Sequence, residues 1–187
     1  MSNVYDTQFR NWMNLNPSVE EYMWDEVLEH AEHGDKDLGR SVEQQKADKV
    51  QGDIGEALVH KSLSSSTELD VSYADGTDCD LLVNGHKVEV KSRKGWDSYK
   101  DLLVRVINGV TAEYYVQVII NRNPVTEVPV GGWITGFATD TAVENADYFM
   151  PEKRNDTKII PHDNLQDMGA FYKKVTSGKC VVKAAGD

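Results

Sequence analysis

Residues 78–91, DCDLLVNGHKVEVK, decide the fold, because they hold two alternating runs separated by Asn84 and Gly85. Asn-Gly is the strongest short hairpin signal, since a type I′ turn needs a positive φ at both of its central residues. A two-residue turn also sets the register of the hairpin. Val83 is predicted opposite His86, and each step back along the first strand pairs with one step forward along the second.

This register separates an apolar face from a charged face, because directly opposed residues of a hairpin share a face. The apolar face suits a core and consists of Cys79, Leu81, Val83, Val88 and Val90. The charged face consists of Asp78, Asp80, Lys87, Glu89 and Lys91. Asp80 is predicted opposite Glu89, and Asp78 opposite Lys91. Two opposed carboxylates repel each other unless a cation lies between them.

The charged face has the residue types of a magnesium site. Mg²⁺ prefers oxygen ligands, commonly one or two protein carboxylates, and fills its octahedron with water and phosphate oxygens. Asp80 and Glu89 provide two such carboxylates. Lys91 lies on the same face, where an ammonium group can orient the attacking water and offset charge that develops on phosphorus. An ExK triplet alone more often marks a solvated strand face. The prediction of a catalytic site therefore depends on the triplet together with the opposed Asp80 and the valines on the reverse face.

A helix is predicted over residues 43–64, ahead of the hairpin. Its apolar positions form two stripes, Val50, Ile54, Ala57 and Leu58 on one and Gly52, Val59 and Leu63 on the other. Glu56 falls on the second stripe, so its carboxylate is expected to point inward, where it requires a partner. The alternative is a surface glutamate that pairs with His60 one turn later.

These residues together resemble the PD-(D/E)XK nuclease superfamily over residues 52–93. The resemblance implies an α/β fold with a restriction-endonuclease-like core, in which helices flank a mixed central β-sheet in the order helix, three or four strands, helix and strand. It implies that Asp80 and Glu89 bind Mg²⁺ and that Lys91 assists the attacking water. It also implies that Glu56, which follows Gly55 on the helix, is a further catalytic and metal-binding residue.

Asp78 and Gln117 are candidates for an accessory role. Cys79 stands where the superfamily often has a proline, and Asp78 offers a second acid that suits a salt bridge or support of the metal ligands. Gln117 resembles a glutamine that some branches of the superfamily place on the next strand, near the site.

Positive charge continues after the triplet in Arg93, Lys94 and Lys100, around a loop predicted at residues 95–101. Contact with DNA phosphates and an ordinary solvated charge run both fit this pattern. The net charge of −11 repels nucleic acid as a whole. DNA binding is therefore expected to depend on this local strip of basic residues.

Residues 1–187 are predicted to form a single domain, with a helical N-terminal segment over about 1–40 and a flexible tail from about 175. The N-terminal segment includes a helix at 17–33. Strands are predicted at 69–73, 79–83, 86–92, 102–107, 114–121 and 132–137, all in one sheet. Further helices are predicted at 139–147 and 163–174.

The composition, 40% hydrophobic and 27% charged, is that of a globular protein. No apolar run reaches 18 residues and no signal peptide is evident, which predicts a cytoplasmic protein without membrane contact, in the host cytoplasm if the gene is phage-borne. Cys79 and Cys180 form no CxxC pair. A zinc site built from cysteines is therefore excluded.

The sequence favours a Mg²⁺-dependent DNA endonuclease that hydrolyses phosphodiesters with metal-activated water, with Mn²⁺ able to replace Mg²⁺. Its size resembles that of resolvase-like, phage-encoded and homing-type members of the superfamily, which often act as homodimers. Three alternatives stay open. They are an exonuclease of the same fold, a catalytically inactive nuclease-fold protein in DNA binding or assembly, and an enzyme that acts on another phosphoester.

Overall fold

The computed structural model describes residues 13–14, 42–75, 79–94, 100–107, 109–122, 129–149 and 156–177. The helix predicted at 17–33 and the acid Asp78 lie outside these ranges, as do Cys180 and the rest of the predicted tail beyond 177.

Strands and helices follow one another as a mixed α/β chain. In order they are β1 (Met13–Asn14), α1 (Val42–Ser64), β2 (Val71–Tyr73), β3 (Leu81–Val83), β4 (His86–Lys94), β5 (Leu102–Arg105), β6 (Tyr114–Arg122), β7 (Pro129–Thr139), α2 (Asp140–Glu144), β8 (Asp147–Tyr148), β9 (Thr157–Ile160), a 3₁₀ turn (His162–Asn164) and α3 (Met168–Ser177). The predicted helix over 43–64 is confirmed by α1.

A mixed six-stranded sheet forms the centre of the described part, in the order β1-β7-β6-β4-β3-β2. Its one parallel pair is β4 with β6, in which Lys91 lies beside Gln117, and the other neighbours are antiparallel. Parallel neighbours need a crossover connection. The described residues of this crossover, 100–107 and 109–113, carry β5 and no helix, whereas the resemblance implied a helix before the last strand.

Each face of the central sheet has its own apolar core. Helices α1 and α3 cover one face, where the buried side chains include Leu58, Val88, Val90, Phe137 and Phe171. The other face is covered by α2 and by a second sheet of order β5-β9-β8. Its buried side chains include Leu102, Tyr115, Val143 and Ile160. Placing β5 in the central sheet was therefore wrong, because β5 pairs with β9 instead.

The hairpin forms with the predicted turn and register. Asn84 and Gly85 have φ values of 50° and 84°, as a type I′ turn requires, and Val83 lies opposite His86. The Asn84 amide also accepts a hydrogen bond from the Asp70 N–H at 2.8 Å and donates one to the Val175 carbonyl at 3.1 Å. The turn is thereby tied to the start of β2 and to the end of α3.

Several predicted element ends differ from the structure, and two of them change which residues are buried. Cys79 packs in the core beside Leu102 rather than in the core of the hairpin valines, because strand pairing stops at Leu81. The final helix continues to Ser177 with Val175 fully buried, so residues 175–177 belong to this helix and not to a flexible tail. Among the described residues, no helix has both the length and the apolarity to cross a membrane.

Candidate active site

A cleft of about 480 Å³ lies where β4 continues past the end of β3. Three parts of the chain form it. Helix α1 and the β3–β4 hairpin form one side, and the second sheet forms the other. The described lining residues are Asp48, Gln51, Gly52, Glu56, Asp80, Glu89, Val90, Lys91, Ser92, Leu103, Arg105 and Thr157. The four predicted catalytic residues, Asp80, Glu89, Lys91 and Glu56, are all among them.

Asp80 reaches the cleft by leaving the strand ladder. Its N–H donates to the Val88 carbonyl at 3.1 Å, and its Oδ2 accepts the N–H of Val90 at 2.6 Å. The ladder itself ends at the pair of Leu81 with Val88. The predicted ladder pair of Asp80 with Glu89 is therefore wrong. Aspartate side chains compete with the backbone for N–H groups, and here the Asp80 carboxylate takes the Val90 N–H in place of a backbone carbonyl.

Glu89 and Lys91 form a direct ion pair on the cleft side of β4, with Lys91 Nζ donating to Glu89 Oε1. Both side chains are partly exposed, 19% for the glutamate and 34% for the lysine. In this arrangement the lysine neutralises one acid of the cluster. The charge of Asp80 is stabilised by the backbone hydrogen bond from Val90 and by the nearby charges of Lys91 and Lys49.

Glu56 is carried into the cleft by close packing of α1 against β4. A Cβ added at Gly55 would lie 1.7 Å from Ser92 Oγ, so only glycine permits this approach. One turn earlier, Gln51 Nε2 donates to the Ser92 carbonyl at 3.2 Å. These two contacts fix the helix on the strand and bring Glu56 to the same cleft as Asp80 and Glu89.

The carboxylates of the cleft repel one another. Burial raises the pKa of Glu56 to about 7, and the charges of Asp80 and Asp53 add to this shift. Burial likewise raises the pKa of Asp80 to about 6, with the Glu89 charge as the next cause. No hydrogen bond reaches the Glu56 carboxylate from the described residues. A partly buried acid without a donor is costly when charged, so this cluster favours a cation or a proton.

The donor set suits a hard divalent ion, since it offers carboxylate oxygens from three segments of the chain. In the described ranges, however, no three His, Cys, Asp or Glu side chains form a group that could hold a metal ion. Glu89 points to Lys91, and one Asp80 oxygen is taken by Val90. A single ion held by three of these acids would therefore require some of their side chains to move.

The opposite wall of the cleft was not predicted from the sequence. Leu103 and Arg105 of β5 and Thr157 of β9 form it. Arg105 Nε donates to Asp156 Oδ2 at 3.0 Å. The pairing of β5 with β9 joins residues about fifty positions apart, and no local pattern specifies such a contact. The only sequence signal is that Arg105 follows Arg93, Lys94 and Lys100 in a stretch rich in basic residues.

Other predicted residues lie away from the cleft. Arg93 and Lys94 are at the end of β4 and Lys100 precedes β5, and none of the three is among the described lining residues. Gln117 is fully buried. Its Nε2 donates to the Lys100 carbonyl at 2.9 Å, and its Oε1 accepts from Thr135 Oγ1 at 2.9 Å. It therefore holds the start of β5 in place and does not reach the cleft.

No protein-family model matches this chain, and no curated protein shows significant sequence similarity to it. The function of the cleft must therefore be inferred from the chemistry of its own residues.

Proposed function

We propose that this protein is a Mg²⁺-dependent DNA endonuclease with a restriction-endonuclease-like core, akin to the PD-(D/E)XK superfamily. One observation carries the proposal. The carboxylates of Glu56, Asp80 and Glu89 line a single cleft together with the ammonium group of Lys91. Acids with raised pKa values beside a lysine are typical of a site that binds a cation and performs proton transfer.

The elements that bear these residues support the fold assignment. A helix with Gly55 and Glu56 packs against a strand with Glu89 and Lys91, and a hairpin brings Asp80 to that strand. The sheet is mixed and helices cover one face. The crossover through β5 is a departure from the implied element order, and it adds a second sheet to the wall of the cleft.

The residues of the cleft divide the work of phosphodiester hydrolysis. Asp80 and Glu89, joined by Glu56, would hold Mg²⁺, which when bound polarises the phosphate and lowers the pKa of a bound water. A cation in this position would compete with Lys91 for Glu89. Lys91 would then donate a hydrogen bond to the water whose oxygen attacks phosphorus. As the water oxygen bonds to phosphorus, the water releases a proton to solvent, the P–O bond opposite breaks, and the leaving oxygen takes up a proton from solvent.

Cleavage of DNA tests the proposal directly. Purified protein is incubated with supercoiled plasmid, linear duplex, single strands and four-way junctions while Mg²⁺ is titrated, with Mn²⁺ and Ca²⁺ in parallel. We expect nicking of at least one closed or branched substrate in Mg²⁺ and Mn²⁺ and none in Ca²⁺. Asp80→Asn, Glu89→Gln and Lys91→Ala should each lower the rate at least a hundredfold.

Exposed residues outside the cleft provide matched controls. Glu144→Gln removes an exposed acid on α2, and Lys61→Ala removes an exposed lysine at the end of α1. Both should cleave like the wild type. Degradation from free ends alone would assign an exonuclease instead. Metal-independent DNA binding without any cleavage would reject the enzyme and favour the binding or assembly protein, and hydrolysis of small phosphoesters alone would move the substrate away from DNA.

A further inference from the structure

The second sheet gives the cleft a positive charge that the proposed reaction does not use. Of the described lining residues, Lys91 and Arg105 are the basic ones. Lys91 already pairs with Glu89 and has a role in the reaction. Arg105 stands at the end of β5, on the wall opposite α1, and more than half of its side chain is exposed.

The guanidinium of Arg105 is oriented by an ion pair with Asp156. Its Nε donates to one oxygen of Asp156 at 3.0 Å, and the other oxygen of Asp156 accepts from Thr157 Oγ1 at 3.1 Å. Thr157 is buried and pairs with Arg105 in the β5–β9 ladder. The Asp156 carbonyl also accepts the N–H of Val106 at 2.6 Å. Asp156 is thus held by Thr157 and by Val106, and it orients the arginine.

This arrangement leaves most of the arginine's donors for a ligand. A guanidinium has five N–H donors in a planar fork, and the described residues accept a hydrogen bond only from Nε. The fork matches two oxygens of a phosphate group. A DNA strand that enters a cleft walled by Glu56, Asp80 and Glu89 meets strong repulsion unless a cation on the facing wall offsets it.

We propose that Arg105 binds a backbone phosphate of the DNA next to the one that is cut, and that Asp156 positions it for this contact. The inference rests on the proposed function and adds a binding residue to it. Phosphate contacts fix the register of a nucleic acid without reading its sequence. Arg105 therefore sets how the strand lies across the acidic cluster, and its removal should weaken the binding of all DNA sequences to the same extent.

Salt-dependent DNA binding tests this assignment without need of turnover. Fluorescence anisotropy with a labelled duplex in Ca²⁺ gives the binding constant from 50 to 200 mM NaCl. Loss of one phosphate contact should make the slope of log K against log salt shallower by about 0.9. Arg105→Ala should show this change with a five- to twentyfold loss of affinity. Arg105→Lys should keep the slope and recover only part of the affinity, since lysine binds as a point charge.

Asp156→Asn and Lys61→Ala separate binding from structure. Asp156→Asn breaks the same ion pair but keeps the arginine charge, so it should keep the slope and lose less affinity than Arg105→Ala. If Arg105 were only structural, Arg105→Ala and Asp156→Asn would lower DNA affinity to the same extent. A salt-dependence slope for Arg105→Ala equal to that of Lys61→Ala would also overturn the assignment. If the wild-type protein cleaves DNA while Arg105→Ala gives such a result, the proposed nuclease activity is kept and only the role of Arg105 is rejected. Binding without cleavage rejects the nuclease while the slope still decides Arg105, and absence of DNA binding rejects both.

Discussion

The carboxylate of Asp80 accepts the backbone N–H of Val90 at 2.6 Å, and Val90 is the residue between Glu89 and Lys91. The acid is therefore attached to the strand that bears the other two charged groups. Any shift of β4 moves all three together. This coupling explains how a residue just before a short strand keeps a fixed place in the cleft.

Substitution of Asp80 should separate its hydrogen bond from its charge. Asp80→Asn keeps an oxygen that accepts the Val90 N–H, and it removes repulsion from Glu89. We expect a free energy of unfolding equal to or above that of the wild type in metal-free buffer. Asp80→Ala leaves the N–H without its acceptor and should cost about 1–3 kcal/mol. Urea denaturation measures both, and equal stability of the two variants would argue against this hydrogen bond.

The stability of the metal-free protein should fall as the pH rises from about 4 to 7. Folded Glu56 keeps its proton up to its pKa of about 7, whereas the unfolded chain releases it near 4.5, so the unfolded state gains from deprotonation first. Asp80 acts in the same direction between 3.8 and about 6. For the partly exposed Glu56 the effect is on the order of 1–3 kcal/mol.

Glu56→Gln should flatten this pH dependence and be more stable than the wild type at pH 8 in EDTA, but not at pH 4. Urea denaturation at several pH values provides the comparison. Glu144→Gln, which changes an exposed acid outside the cleft, should follow the wild-type curve. If Glu56→Gln also follows the wild-type curve, the pKa of Glu56 is not raised in the folded protein as its surroundings indicate.

Mg²⁺ should stabilise the protein, because it binds the folded acid cluster and offsets the repulsion among its carboxylates. At a concentration one hundred times its Kd, an ion that binds only the folded state adds about 2.7 kcal/mol. The rise in Tm over EDTA should be larger at pH 8 than at pH 5.5, since protons compete with the metal. Calorimetric titration in buffers of different ionisation enthalpy should show proton release.

The double variant Asp80→Asn, Glu89→Gln tests whether this stabilisation arises in the cleft. It keeps the shape of both side chains and removes two negative charges. Its Tm should be nearly the same in Mg²⁺ and in EDTA. A rise in Tm like that of the wild type would place the bound ion elsewhere.

A methyl group at position 55 should be enough to damage the site. Gly55→Ala improves helix propensity, but its Cβ would lie 1.7 Å from Ser92 Oγ, and overpacking typically costs about 1–3 kcal/mol. Ser92→Ala alone should be neutral or stabilising, since the buried hydroxyl has no partner. Ser92→Gly should restore much of what Gly55→Ala loses, and a double-mutant cycle by urea denaturation measures this coupling. If the effects of the two substitutions on the free energy of unfolding are additive, positions 55 and 92 are not in contact.

Local chemistry made the core of the site predictable. The Asn84–Gly85 turn sets the register, and the helical spacing of apolar residues gives α1, so four charged residues were expected in one place. The break at Asp80 was not predictable by the same means. Strand alternation assumes that the ladder continues, whereas the side chain of Asp80 takes the N–H that would continue it.

Long-range pairing accounts for the other errors. Leu102 pairs with Ile160 and Arg105 with Thr157, and no local pattern distinguishes these partners from strands of the central sheet. Cys79 lies in the second core, with Leu102 of β5 and Ile160 of β9, because strand pairing stops at Leu81. The sequence therefore indicated the acids and the lysine of the cleft but not the wall that faces them.

The short length of β3 determines how Asp80 contacts β4. β3 has three residues and β4 has nine, so among the described strands the far half of β4 has no partner on the β3 side. A sequence change that extended strand pairing upstream to Asp80 and Cys79 would give the Val90 N–H a backbone acceptor in place of the Asp80 carboxylate, and this acid would lose the contact that holds it in the cleft.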